Sequence, residues 1–427
     1  MRAIGIDLGT TSICGILIDT DSGKVLQSRT ENSNAFIEGK FSWERLQQPE
    51  KIISLAMDIL ETLMCEDVSA IGVTGQMHGI VYFDCQGTAV SPLYTWQDGR
   101  GNQPYLDTTY AQYLQSHSGY GNVTDFYNRQ NGLVPNSAVG YCTIHDYFVM
   151  RLCNLTKPQI HISNAASFGC FDIKKNCFTY DCSIEPVLDF TVAGKFRDIP
   201  VGVAIGDNQS SVFSSLASTD SILLNIGTGS QVSIVSDKIV EAPGIETRPY
   251  FEGQYLVVGS ALCGGRAYAV LKDFYARLLK YVMDVTDDQV YHIMDKMLSE
   301  QSTCLAVDTR FEGTRADESL RGSITGISTD NFTPEALTRG FLDGMVKELY
   351  DMYCTMKVNR QGLVGSGNGM RKNPALQRAA QSVFGASLRI PTHTEEAAYG
   401  AALFALISAG YCKNAAEAQM LIRFETE

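Results

Sequence analysis

Two rhythms of apolar and polar positions run along the chain. Residues 3–8 form a short apolar run that reads as a strand and stops at Gly9-Thr10-Thr11. Residues 12–18 form a second such run. After the turn-forming segment Asp19-Thr20-Asp21-Ser22-Gly23, residues 24–28 read as a third strand. The rhythm then changes. Ile52, Ile53, Ala56, Met57, Ile59, Leu60 and Leu63 recur at helical spacing behind Pro49, which predicts a helix over 49–63 with proline in its first turn. Residues 68–73 return to a buried strand ahead of Thr74-Gly75-Gln76-Met77-His78-Gly79. Residues 201–205 form another strand, running into Gly206-Asp207-Asn208.

Near residue 222 the pattern starts again. Leu223-Leu224-Asn225-Ile226 leads into Gly227-Thr228-Gly229-Ser230, with a strand over 231–235, in the order seen over residues 4–19. Later, Leu363-Val364-Gly365-Ser366-Gly367-Asn368-Gly369 repeats the strand-into-glycine-turn form of Ile71 to Met77. Two matched pairs in the same order predict a duplication: two α/β domains, 1–212 and 213–427, with the boundary near 210–222. The second half adds helices over 336–353, capped by Thr333 with Pro334 at its first position, and over 375–384. A third runs over 395–407, with Thr394 as its cap and acids in its first turn.

Composition narrows the class. Over 427 residues, 44% are hydrophobic and 19% charged, so the chain can bury a core without covalent staples. The net charge of −13 argues against a nucleic-acid partner, which needs excess Lys and Arg, but leaves a single nucleotide ligand open. The 12 cysteines, Cys304 among them, are scattered with no CxxC, which reads as reduced thiols in a cytoplasmic protein. The opening enters a strand at once, and no stretch reaches the length of a membrane span.

Candidate chemistry gathers at the ends of these strands. Gly9, Thr10, Thr11 and Ser12 offer backbone approach and donors to a phosphate, and Asp7 at the strand end suits a magnesium ion held through water. Gly227, Thr228 and Gly229 form the matching turn, and two such turns across a cleft would grip a triphosphate. An ordinary hairpin tip is the plain alternative for each alone. Gly365, Gly367 and Asn368 lack the dinucleotide fingerprint but suit a turn packed on adenine and ribose. Gln76 and His78 follow a strand end and could hydrogen-bond sugar hydroxyls, with Met77 as an adaptable apolar surface, against the alternative of a structural histidine. Trp96 and Asp98 in Trp96-Gln97-Asp98-Gly99-Arg100 pair an aromatic platform with a carboxylate, against the alternative of a buried Trp beside a surface turn. Asp207, followed by Asn208, is placed to take a proton from an attacking hydroxyl, against the alternative of a helix cap.

Taken together, DLGTT, GQMHG, WQDGR, GDNQ, IGTGS and the run Glu395-Glu396-Ala397-Ala398-Tyr399-Gly400-Ala401-Ala402 resemble the FGGY carbohydrate kinases over essentially the whole length. The resemblance implies two actin-like (ribonuclease H-like) ATPase domains around a central cleft, with sugar mainly on the first and ATP mainly on the second, and with Mg²⁺ as the cofactor. It implies Asp207 as general base, Met77, His78 and Asn208 toward sugar, Asp7 and Thr11 toward phosphate and metal, and Gly227, Thr228, Gly264, Gly365 and Asn368 toward nucleotide. GQMHG and WQDGR are similar to the sedoheptulokinase and xylulokinase branch. WQDGR, the Ser260-Ala261-Leu262-Cys263-Gly264-Gly265 run, Gly365-Ser366-Gly367-Asn368 and Asn164-Ala165-Ala166-Ser167 lean toward sedoheptulokinase. The expected reaction is phosphorylation of sedoheptulose, with xylulose as the alternative substrate. A sugar-independent ATPase of the actin and heat-shock type, or a non-catalytic sensor, is the reading from another class. A homodimer stands as the candidate assembly. The chain is short for the family, which implies trimmed peripheral insertions.

Overall fold

The computed structural model describes every residue except 183, 299–304, 315, 316, 318, 426 and 427, so Cys304 lies outside the described residues. The chain forms two units, Met1–Ala217 with Arg248–Gln254 and His393–Arg423, and Ser218–Thr247 with Tyr255–Thr392 and Phe424–Glu427.

The first unit opens with strands β1 (Arg2–Leu8), β2 (Ser12–Asp19) and β3 (Val25–Asn32), the three-stranded meander that the apolar runs predict. Helix α1 (Pro49–Leu63) follows, and its predicted stripe is buried at Ile52, Ile53, Ala56, Ile59, Leu60 and Leu63. Ile59 and Leu63 close over Gly15 of β2, where a β-carbon would lie 2.5 and 2.7 Å from their methyls. Burying each such side chain is worth about 1.5–3 kcal/mol. Strand β4 (Val68–Gly75) then lies parallel to β1, with Gly5 beside Gly72 and Asp7 beside Thr74. The sheet runs Val192–Phe196, Ile199–Gly202, β4, β1, β2, β3, and Ile205–Gly206 pairs with the end of β4. Two short helices complete the part that matters here: α2 (Ile162–Ser167) and α3 (Asp207–Ser215).

The second unit repeats the plan. Strand β5 (Ser221–Ile226) turns at Gly227-Thr228-Gly229 into antiparallel β6 (Ser230–Ser236), and β7 (Tyr255–Ala261) pairs with β6. Helix α4 (Gly264–Leu279) and the long α5 (Pro334–Thr355) precede β8 (Gly362–Ser366), which lies parallel to β5 with Asn225 beside Ser366. Thr333 caps α5 by accepting from the Ala336 amide, as its sequence predicts. Helix α6 (Pro374–Phe384) follows.

The chain then re-enters the first unit as α7 (Glu396–Ser408), buried without a break from Ala398 to Ile407. A linear division at 212/213 places this helix in the second domain; its packing places it in the first. Gly5 and Gly72 explain why. A β-carbon on either would collide with the carbonyl oxygen of Ala398 or Ala401, so only glycine lets this helix lie so near the sheet. Gly400 makes the same close approach to Ser210 of α3, whose hydroxyl donates to the Ala397 carbonyl at 2.6 Å. Thr394 does not cap α7. The helix starts one residue later, with Glu395 at the cap position and no side-chain cap bond.

Candidate functional site

In the first unit, Asp7 and Gly5 are two apart on β1 and so share the face that α7 covers. The Asp7 carboxyl is pushed up to about 8, first by burial and then by the charges of Asp207 and Glu395. Its Oδ1 is buried with no hydrogen-bond partner. An orphaned carboxylate oxygen with two further carboxylates in electrostatic reach fits a hard divalent cation such as Mg²⁺. Among the described residues no three His, Cys, Asp or Glu groups cluster tightly enough to cage an ion. Such an ion would therefore keep much of its water, and when bound it would neutralise phosphate charge.

Asp207 is the first residue of α3, after Gly206 at the cap position. Burial pushes its carboxyl up to about 6; the Asn208 amide and the Arg248 guanidinium pull the other way. Arg248 donates to Asn208 Oδ1 at 3.1 Å. No spacing in the sequence singles out Arg248, which joins this site only through the fold. Met77 packs over the cap: a β-carbon on Gly206 would lie 2.7 and 2.8 Å from its Cε and Sδ.

His78 has a φ of 73°, unusual for a side chain-bearing residue, and two bonds to one residue hold it there. Its backbone N–H donates to Ser167 Oγ at 3.2 Å, and its ring Nδ1 meets the Ser167 carbonyl at 2.7 Å. A carbonyl only accepts, so Nδ1 carries the proton. The ring stacks on Tyr120 at 4.1 Å. Trp96 is 46% exposed, and its indole N–H donates to Thr10 Oγ1 at 2.9 Å, which fixes an open aromatic face beside the first hairpin tip.

Two candidates take structural roles instead. Gln76 is 3% exposed; it accepts from Thr10 and donates to Gln47 at 3.0 Å, so it braces the hairpin tip. Gln47 in turn donates to the Thr10 carbonyl at 2.6 Å. Asp98 is 1% exposed, and its two oxygens accept from the Arg45 amide and from the amide and guanidinium of Arg100. With that many donors satisfied internally, its carboxylate has no lone pair aimed at a sugar. Of the tip, Thr11 is exposed while Gly9, Thr10 and Ser12 are partly so.

In the second unit two segments converge on the Gly227–Gly229 turn. The Gly265 and Arg266 amides of α4 donate to the Gly227 and Thr228 carbonyls at 3.0 and 3.1 Å. A β-carbon on Gly264 would sit 2.5 Å from the Gly229 backbone, and one on Gly367 (φ 82°) 2.7 Å from the Ile226 carbonyl. Thr228, Gly229 and Asn368 are exposed around this glycine-lined surface. Gly365 is not part of it: it is buried in β8 under Met370 and Ile390, so its small size serves packing.

Comparison with known proteins places the chain. Residues 2–194 match the N-terminal domain model of the FGGY family of carbohydrate kinases, and residues 222–409 match its C-terminal domain model. The chain is 31% identical to the human sedoheptulokinase and 29% identical to that of the mouse, each alignment covering 94% of this chain and 97% of the relative. Among solved structures it superposes on the xylulose kinase of Rhodospirillum rubrum with a TM-score of 0.84 at 18% identity, over 100% of this chain and 93% of that one.

Proposed function

The chain belongs to the FGGY family of carbohydrate kinases, ATP-dependent sugar phosphotransferases, and from that premise we propose that it phosphorylates the ketose sedoheptulose to sedoheptulose 7-phosphate. The 31% relative acts on that sugar by name, which favours it over xylulose. In this reading the first unit holds the ketose, with Trp96 under an apolar sugar face and Met77, His78 and Asn208 around its hydroxyls. Asp207 takes the proton of the attacking hydroxyl. Asp7 with Gly9, Thr10, Thr11 and Ser12 receives the phosphate and Mg²⁺. Gly227, Thr228, Gly229, Gly264, Gly367 and Asn368 hold the nucleotide.

The observation that carries the reading is the Asp207 carboxyl, raised to about 6 at the head of a helix. A base titrating near working pH combines a large ionised fraction with real proton affinity. The phosphoryl transfer itself then needs positioning and charge neutralisation more than covalent help. Among the described residues no helix is long and apolar enough to cross a membrane, and the cysteines are unpaired. We place the enzyme in the cytoplasm on the strength of those reduced thiols.

The test is ADP release with sedoheptulose, xylulose, ribulose and no sugar. Sugar-dependent turnover with the highest kcat/KM for sedoheptulose is expected. A higher value for xylulose would move the assignment to that ketose. Hydrolysis indifferent to sugar would move it to an ATPase, and binding without turnover to a sensor.

A further inference from the structure

The segment Asn164-Ala165-Ala166-Ser167 has so far no part in the reaction, yet its helix touches both ends of the sugar site. The residues leading into Asp207 have few sheet bonds. Instead, three consecutive residues are each held by a side chain. Asn164 Nδ2 donates to the Ala204 carbonyl at 3.0 Å. Thr74 Oγ1 donates to the Ile205 carbonyl at 2.8 Å. The Gly206 amide donates to Ser163 Oγ at 3.0 Å. Two of these three holders lie on α2.

The same helix grips His78 one turn further on. Ser167 Oγ accepts from the His78 amide and donates to the Asn164 carbonyl at 2.7 Å, while the Ser167 carbonyl accepts from the His78 ring N–H. Ser163, Asn164 and Ser167 are 1%, 0% and 5% exposed, so no water competes for these bonds.

The helix is itself anchored from behind. Asn164 also donates to Asp146 Oδ1 at 2.9 Å, and its Oδ1 meets His145 Nε2 at 2.9 Å, so that nitrogen is the donor. The Ser163 amide donates to His161 Nδ1 at 3.2 Å. That nitrogen therefore accepts, and the Ser163 hydroxyl, 2.8 Å away, donates to it as well. With its proton so committed, the hydroxyl oxygen presents lone pairs to the Gly206 amide. His161 and His145 are fully buried, and burial pulls them down to about 3 and about 4, so both stay neutral and the network keeps one arrangement at working pH.

We propose that α2 is a clamp that sets the separation of the base and the sugar-holding histidine, with Ser163 positioning Asp207 and Ser167 positioning His78. The proposal rests on the reading of Asp207 as base and His78 as a sugar contact, and adds to it two positioning residues four apart on one short helix. Neither touches the substrate. Each acts through its partner, and their effects therefore divide. Loosening Gly206 lets the base drift from the hydroxyl it must deprotonate, which lowers kcat. Loosening His78 weakens the hold on the ketose, which raises KM. Displacements well under the size of an atom are enough, because reaction rate is steep in alignment.

Ser163→Ala is expected to lower kcat by about tenfold or more with the ketose KM within about threefold of the parent. Ser167→Ala, which keeps the backbone carbonyl but removes the hydroxyl, is expected to raise the ketose KM by about tenfold with kcat within about threefold. Melting curves verify that each is folded. Should Ser163→Ala not fold, Ser163→Cys keeps the volume with a weaker acceptor and is expected to give the same division in smaller degree. A merely structural helix would give both variants the same pattern, a shared loss of kcat at unchanged KM. That result, or unchanged constants in both variants, overturns the clamp. Asp207→Asn is assayed alongside: retained turnover there removes the base assignment itself, whereas lost turnover with no division removes only the clamp.

Discussion

The two Gly-Thr hairpins share a backbone plan and differ at one atom pair. Asp7-Leu8-Gly9-Thr10 and Asn225-Ile226-Gly227-Thr228 each end a strand that lies between an antiparallel neighbour and a parallel one. Opposite Asp7 on the parallel strand is Thr74; opposite Asn225 is Ser366. In the second unit the pair is satisfied, with Asn225 Nδ2 donating to Ser366 Oγ at 2.8 Å. In the first, Thr74 turns to the Ile205 carbonyl, and Asp7 keeps a buried oxygen with no partner. The same hairpin thus ends in a neutral, closed contact in one unit and, in the other, in a carboxyl raised by burial with one oxygen left without a partner. Buried polar atoms are normally paired, so the exception marks where a cation or a proton is expected.

The two sheets also differ behind the hairpins. Gly5 matches Leu223 by register with the Asp7 and Asn225 ends. Glycine admits the α7 backbone in the first unit, and the second carries a leucine that is 2% exposed.

The sharpest way to break the comparison is to make the two ends alike. Asp7→Asn is expected to cut kcat/KM by about 10²–10³, because in the proposed role a bound Mg²⁺ displaces the proton of this carboxyl and an amide cannot supply the anionic oxygen in its place. Steady-state kinetics across Mg²⁺ concentrations would show it, and near-parent activity would mean that the unpaired oxygen has no role in turnover. Next comes the backing. Gly5→Ala is expected to cost about 3 kcal/mol by overpacking, whereas at the matched position it is the reverse change, Leu223→Ala, that costs about 2–5 kcal/mol by opening a cavity. Denaturant unfolding of both variants checks that opposite volume changes harm the two units. Asn225→Ala is expected to cost about 1 kcal/mol, with an ATP KM raised severalfold and the ketose KM unchanged.

A last effect is on pH. A carboxyl raised from its ordinary value to about 8 holds its proton in the folded chain and loses it when unfolded. The folded state therefore binds more protons across pH 4 to 8, and stability falls as pH rises through that window. Asp7→Asn removes this slope. The variant is expected to melt with the parent near pH 4 and to be the more stable of the two at pH 8, by up to about 5 kcal/mol if the full shift is realised, while being less active.

Much of the frame was legible because its signals are local. The stripe behind Pro49, the Thr333-Pro334 start and the repeated Gly-Thr turns each depend on residues within a few positions of one another. What escaped depends on distance in the chain. The return of α7 to the first unit is set by Gly5 and Gly72, hundreds of residues from Ala398 and Ala401, and a linear reading has no access to that pairing. Gln76 and Asp98 have the right chemistry for a sugar site, but Gln47, Thr10 and Arg45 occupy their polar atoms from other segments, and Arg100, two positions on, takes the rest of the Asp98 carboxylate. Arg248 and Ser163 reach the Asp207 region the same way, with nothing in their local sequence to announce it.

The central claim is that the carboxyl at 207 takes the proton of the attacking hydroxyl. Asp207→Asn, measured by single-turnover ADP release together with calorimetric titration of ketose and ATP, tests it most directly. A fall in turnover of about 10²–10⁴ with both affinities within about threefold is the predicted result. Turnover within tenfold of the parent would contradict it.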